Sequence, residues 1–174
     1  METVILVNTA DEPIGRMEKL AAHERGLLHR AFSVFLFNAR GETLLQQRAV
    51  SKYHSPLLWT NSCCSHQREN ESSLEAAMRR LSEELGIVPS GVTDLREAFW
   101  FIYRAEFDNG LTEHELDHVI LGTYQGPITL DPSEVQSVRW ISMPDLAREM
   151  QEHPEQFTAW FRIIFTEYVA HLTQ

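Results

Sequence analysis

The chain has 174 residues, two cysteines, 43% hydrophobic content and 25 acidic against 15 Lys and Arg residues, for a formal net charge of -10. That is the profile of one soluble domain spanning 1–174, with no basic surface to release counterions from nucleic acid or to bind an anionic membrane. The longest apolar runs, Val34 to Phe37 and Ala98 to Tyr103, are far shorter than the roughly 20 residues that a transmembrane helix needs.

Asp11 and Glu12 interrupt the N-terminal apolar stretch before a secretory signal could form. Cys63 and Cys64 are adjacent, a spacing wrong for both a structural disulfide and a zinc clip. A reducing, cytoplasmic setting is therefore expected. A monomer is also expected, although no residue pattern specifies the oligomeric state.

In chain order, Thr3 to Val7 is a β-rich opening, and Ala31 to Phe37 with Thr43 to Arg48 predicts a hairpin around Asn38-Ala39-Arg40-Gly41. A short strand is predicted at Leu57 to Asn61. Ser72-Ser73-Leu74-Glu75 is a capping box, opening a helix with Leu74, Met78, Leu81 and Leu85 on one face and Gly86 as its stop. Leu95 to Phe107 and Glu113 to Tyr124 flank Asn109-Gly110, a strong hairpin turn, and Gly126-Pro127 ends that pair. Val138 to Ile141 reads as a further strand and Pro144 as the start of a short helix. Pro154 opens a final amphipathic helix carrying Phe157, Trp160, Phe161, Ile164, Phe165 and Tyr168. The outline is an α+β sandwich with a mixed sheet.

Three clusters could carry chemistry. On the mid-chain helix, Glu75 with Arg79, Arg79 with Glu83, and Arg80 with Glu84 are spaced for ion pairs. In the segment from Trp59 to His66, an extended backbone puts Cys64 and His66 on one face and Cys63 on the other, which nominates Cys64. Along Thr112 to His118, period-two alternation puts Glu113, Glu115 and Asp117 on one face and His114 and His118 on the other. Two carboxylates one pleat apart are a fragment of a metal site, with His23, His29 and His66 as possible imidazole ligands. His54, His153 and His171 have no acidic or histidine partner in sequence and read as surface residues.

The helix resembles the Nudix box, Gly-x5-Glu-x7-Arg-Glu-U-x-Glu-Glu-x-Gly-U with U apolar: Glu71, Arg79, Leu81, Glu83, Glu84, Gly86 and Ile87 fall on register. Ser65 stands at the first Gly, and Arg80 replaces a metal-binding Glu that diphosphate hydrolysis depends on. A guanidinium there could hold a diphosphate intact. The chain as a whole resembles the type I isopentenyl-diphosphate delta-isomerases. The match runs through Glu18-Lys19, His23, His29-Arg-Ala-Phe-Ser, Phe37-Asn-Ala, Gln47-Arg48-Ala, Ser51-Lys52, Trp59-Thr-Asn-Ser, Cys64, His66, Tyr103-Arg104, Glu113-x-Glu115 and Trp160.

The resemblance implies a Nudix-type α/β/α sandwich and an isomerase that moves a double bond by protonating an alkene, forming a tertiary carbocation and removing a proton from C2. It implies that Cys64 and Glu115 are the facing acid–base pair, that Tyr103 hydrogen-bonds to Glu115, and that Trp160 stabilises the cation. His23, His29, His66, Glu113 and Glu115 would hold one divalent ion, Mn²⁺, Zn²⁺ or Mg²⁺. A Mg²⁺ bound with the diphosphate would be held by Glu84 and the Cys64 carbonyl, and Lys19, Arg48, Lys52 and Arg80 would clamp the diphosphate. Cys63 and Ser65 depart from the family pattern, and the extra thiol is expected to oxidise or to obscure labelling of Cys64. The rival readings are a Nudix hydrolase, which Arg80 opposes, and a non-catalytic metal- or diphosphate-binding module.

Overall fold

A computed structural model describes residues 1–173. Within them nine strands form one mixed sheet: β1 Thr3–Val7, β2 Pro13–Glu18, β3 His29–Phe37, β4 Thr43–Arg48, β5 Trp59–Thr60, β6 Cys63–Ser65, β7 Thr93–Glu106, β8 Thr112–Thr123 and β9 Val135–Ile141. The helices are α1 Lys19–Arg25, α2 Ser73–Leu85, α3 Met143–Glu152 and α4 Ala159–Leu172. No helix among the described residues is long and apolar enough to cross a membrane.

The central strand is β3, apolar on both faces and therefore buried on both. It pairs in parallel with β8 from His29↔Glu115 to Phe37↔Thr123, and antiparallel with β6 at Ser33↔Cys64. Alternation along β3 and β8 then builds two cores. Val34, Leu36 and Ile120 face α2, whereas Phe35, Val119 and Leu121 pack with Phe157, Phe161 and Ile164 at α4.

The hairpin expected between β3 and β4 survives only at its base, Phe37↔Thr43. Beyond that pair β3 is taken up by β8 and β6, and β4 by β9 and β5, because both strands are buried on two faces and need partners on both edges. The β7–β8 hairpin forms along its whole length, with bulges between Thr93/Arg96 and Glu97/Phe99. The sequence reading missed β2, β6 and α1. The last has seven residues of which only Ala22 and His23 are buried, too few to show a helical period. The strand expected over Leu57 to Asn61 shrinks to two residues. The final helix starts five residues after Pro154, since Pro154–Gln156 is a 3-10 turn and Phe157 runs extended beside Trp59.

Helix α2 has the expected capping box at Ser72 and Glu75, and it ends at Gly86 in the left-handed conformation (φ 60°). A Cβ at Gly86 would also meet Thr129 at 2.9 Å, so glycine is required there twice over. The buried face is rotated from the expected one: Ala77, Leu81 and Leu85 are fully buried while Leu74 and Met78 lie at its edge, and the rotation takes Glu84 inside. Leu81→Ala is expected to cost about 2–5 kcal/mol and Leu74→Ala clearly less, as read from urea midpoints. Equal losses would restore Leu74 to the centre of the packed face.

Candidate active site

The site is built on one rung of the sheet. Registers Tyr103↔Glu115 and Glu115↔His29 place these three residues side by side on β7, β8 and β3. Glu113, Glu115 and Asp117 share the face of β8 that carries Val119 and Leu121 toward α4, as alternation requires, and all three are nearly fully buried. The register Ser33↔Cys64 brings β6 to the same face.

Around Glu115 the fold gathers His29 from β3, His66 just after β6 and His23 from α1, with ligand atoms within 4.8 Å of one another. Glu115 Oε1 lies 3.1 Å from His66 Nε2 and 3.4 Å from His29 Nε2. The Tyr103 hydroxyl lies 2.7 Å from Glu115 Oε2 and 2.5 Å from Glu113 Oε2. Glu113 is less close to the three expected imidazoles, with His23 Nε2 at 3.9 Å, and its near neighbour is His54 Nε2 at 2.8 Å. His54 is thus no surface residue: it is 5% exposed, and the β4–β5 loop folds it against Glu113. Sequence gave no signal for it, because its partner is far away in the chain and its loop has no periodicity.

The donor set fits a divalent ion. His23 and His29 each direct Nδ1 to a backbone carbonyl, Lys19 O at 2.7 Å and Leu27 O at 2.8 Å, which fixes the proton on Nδ1. Their Nε2 atoms are buried without a hydrogen-bond partner, as is His66 Nδ1. Lone pairs left free inside a protein are costly unless a ligand uses them. Burial lowers His23 and lowers His66 to about 4. Burial also opposes charge on His29 and Glu115, but the closeness of imidazole and carboxylate outweighs it, raising His29 and holding Glu115, which also faces His66 Nε2, well below the usual carboxylate range.

Cys64 lies on the α4 face of the sheet and Cys63 on the α2 face, where its thiol meets Glu84 at 3.3 Å. Cys63 is fully buried away from the site, so the expected interference from the extra thiol is overturned. Cys64 Sγ accepts from Trp160 Nε1 at 3.0 Å and donates to Asn61 Oδ1 at 3.1 Å. Asn61 is itself fixed by donating to Val34 O and Cys63 O, a holding role the sequence reading did not assign. Burial, with Asp117 behind it, pushes the Cys64 thiol up to about 12, so it keeps its proton at neutral pH.

One cavity is lined by Cys64, Tyr103, Glu115 and Trp160 and also by Lys19, Arg48, Lys52 and Arg80. The four expected cations do converge there, each engaged with protein groups. Lys19 pairs with Glu2, Lys52 with Glu134, and Arg48 lies 5.3 Å over the Trp160 ring. Arg80 reaches Glu83 at 2.7 Å and Glu84 at 2.6 Å. Glu84 is not part of the cavity wall: it is 3% exposed, under Arg80, and also accepts from Gln46.

The chain matches the NUDIX domain family over residues 27–161. It is 48% identical over 160 residues to an isopentenyl-diphosphate Delta-isomerase of Burkholderia multivorans, covering 92% of this chain and 89% of that one. To the enzyme of that name from Aliivibrio fischeri it is 47% identical over 181 residues, covering 99% and 98%. Among solved structures, a Deinococcus radiodurans protein superposes with a TM-score of 0.71 at 21% identity, covering 87% of this chain and 90% of that one. A Nudix hydrolase from M. smegmatis does so at 0.62 and 15% identity, covering 97% and 92%. These two likenesses bear on the fold alone, and they agree with the α+β sandwich.

A protonated thiol alkylates only through its small thiolate fraction. The alkylation rate of Cys64 is therefore expected to rise about tenfold per pH unit up to pH 10, and Cys63→Ala to leave it unchanged. A rate that levels off by pH 8 would mean that the site stabilises a thiolate.

Proposed function

Since the chain belongs to the isopentenyl-diphosphate Delta-isomerases of the NUDIX family, we propose a residue-level account of its reaction. It interconverts isopentenyl and dimethylallyl diphosphate for isoprenoid synthesis. The observation that carries the account is a thiol and a carboxylate in one cavity, each held by an aromatic residue: Trp160 on Cys64 and Tyr103 on Glu115.

An unactivated alkene is a very weak base, so moving its double bond needs a positioned acid, a base on the opposite face and exclusion of water. Cys64 and Glu115 fill the first two roles and exchange them when the reaction runs backward. Asn61 and Trp160 fix the thiol, while His66 and Tyr103 fix the carboxylate, so neither group must reorganise as the proton moves. The indole of Trp160, 2% exposed, offers π density to the tertiary carbocation, an interaction of about 2 kcal/mol or more when desolvated. The buried walls keep out water that would capture that cation.

Lys19, Arg48, Lys52 and Arg80 bind the diphosphate, with Lys19, Lys52 and Arg80 exchanging their carboxylate partners for phosphate oxygens. The clamp makes the local field positive although the chain is acidic overall. His23, His29, His66, Glu113 and Glu115 would hold a divalent ion, Mn²⁺, Zn²⁺ or Mg²⁺, which supplies positive charge beside Glu115 and makes a proton there easier to release. Glu84, exchanged from Arg80, would hold a Mg²⁺ that arrives with the diphosphate. Residues 1–174 act as a single catalytic domain, a cytoplasmic monomer working on a small molecule and not on nucleic acid or membrane.

The test is NMR of the purified protein with isopentenyl diphosphate and Mg²⁺ in D₂O. Deuterated dimethylallyl diphosphate without free phosphate is expected, and free phosphate would turn the reading to a hydrolase. Cys64→Ala and Glu115→Gln should each abolish turnover while leaving substrate binding nearly intact, because only transition-state chemistry is lost. Normal turnover in Cys64→Ala would defeat the thiol assignment. Lys52→Ala should raise KM about tenfold or more, the worth of one charge-assisted contact, and an unchanged KM would remove Lys52 from the clamp.

A further inference from the structure

His54 lies in the loop between β4 and β5, followed by left-handed backbone at Ser55 (φ 51°) and Leu57 (φ 62°). The loop is tied down on both sides, by Arg48 Nη2 donating to His54 O at 3.1 Å and Asn109 Nδ2 donating to Tyr53 O at 2.9 Å. The imidazole stacks on Phe107 with centroids 4.8 Å apart and 7° between planes, and it meets Trp160 edge-on at 5.9 Å. A ring confined in this way has one place for Nε2, which is 2.8 Å from Glu113 Oε1. His23, His54 and Glu113 form a donor group of their own that shares His23 with the cluster around Glu115.

The hydrogen bonds of His54 run opposite to those of the metal-facing histidines. His23 and His29 give Nδ1–H to a carbonyl and keep Nε2 free of partners. His54 instead faces the Ser55 hydroxyl with Nδ1, at 3.2 Å, and that hydroxyl can donate. The ring proton then belongs on Nε2, directed at a carboxylate that can only accept.

We propose that His54 is a positioning residue of the metal site, donating Nε2–H to Glu113 Oε1 while Tyr103 holds Oε2. The two donors grip both oxygens of Glu113 and set its carboxylate toward His23. The proposal rests on the reading that the His and Glu cluster holds a divalent ion. Groups that orient a metal's ligands from outside are known to matter to affinity without touching the ion.

The test is spectroscopic Co²⁺ titration, with chelator competition, of the full chain and of His29→Ala, His54→Ala and His54→Gln, each checked for folding by circular dichroism. The wild type should bind one equivalent at this site, and His29→Ala, which removes a ligand, should lose it. His54→Ala should keep the visible band positions while binding about 10–100-fold more weakly. His54→Gln, whose amide nitrogen can donate to the same oxygen, should recover most of that loss. Unchanged affinity in His54→Ala overturns the proposal. So does a shifted visible spectrum with His54→Gln no better than His54→Ala, since His54 would then be a ligand itself. A wild type that binds no Co²⁺ would overturn the metal reading and this proposal with it, whereas normal wild-type binding beside an unaffected His54→Ala overturns only the second.

Discussion

The parallel register of β3 on β8 is the constraint on which the site depends. It aligns His29 with Glu115, and the antiparallel register of β7 adds Tyr103 to the same rung. Four residues further along β3, Ser33 meets Cys64. A slip of one residue would turn Glu113, Glu115 and Asp117 to the α2 face and leave Tyr103 facing leucine. The register is protected by the apolar residues farther along the same strands, because Val119, Leu121 and Phe35 would leave their core in the same movement. Packing at one end of the strands therefore determines chemistry at the other.

The sheet also resolves the two adjacent thiols without any difference in their chemistry. Cys63 faces α2 and shares Glu84 with Arg80 and Gln46, where it fills a core position. Cys64, one pleat on, enters the cavity and finds Trp160 and Asn61. Burial keeps both thiols protonated, but only one has access to a substrate. Across the cavity, the imidazoles of His29 and His66 offset the burial penalty of Glu115, so their surroundings push the two reactive groups in opposite directions, the thiol up and the carboxyl down.

Charge is arranged in a similar way. An acidic chain of net charge -10 keeps four cations around one cavity by giving several of them a carboxylate partner: Glu2 for Lys19, Glu134 for Lys52, Glu84 for Arg80. Each of these carboxylates occupies its cation as a phosphate oxygen would. The substitution of Arg for Glu at position 80 thus has two consequences in the fold: it brings a guanidinium to the cavity wall and puts a salt bridge on the buried Glu84.

Much of this was readable along the chain. The capping box and Gly86 bounded α2, Asn109-Gly110 marked the long hairpin, and period-two alternation separated the two faces of β8 and singled out Cys64. Such signals are local: a cap, a turn or a pleat involves residues a few positions apart. Beyond them, the acid–base, aromatic and cationic residues quoted for the family resemblance, Cys64, Glu115, Tyr103, Trp160, Lys19, Arg48, Lys52 and Arg80, line one cavity, His23 and His29 lie buried behind it, and the rotation of α2 takes Glu84 inside. What the tertiary structure alone decided was long-range. It separated the expected β3–β4 hairpin because both strands needed partners on each edge, and it put His54 on Glu113, 59 positions away, through a loop without periodicity. Local pattern determined which side chains could share a face, and strand pairing across the chain decided which of those faces met.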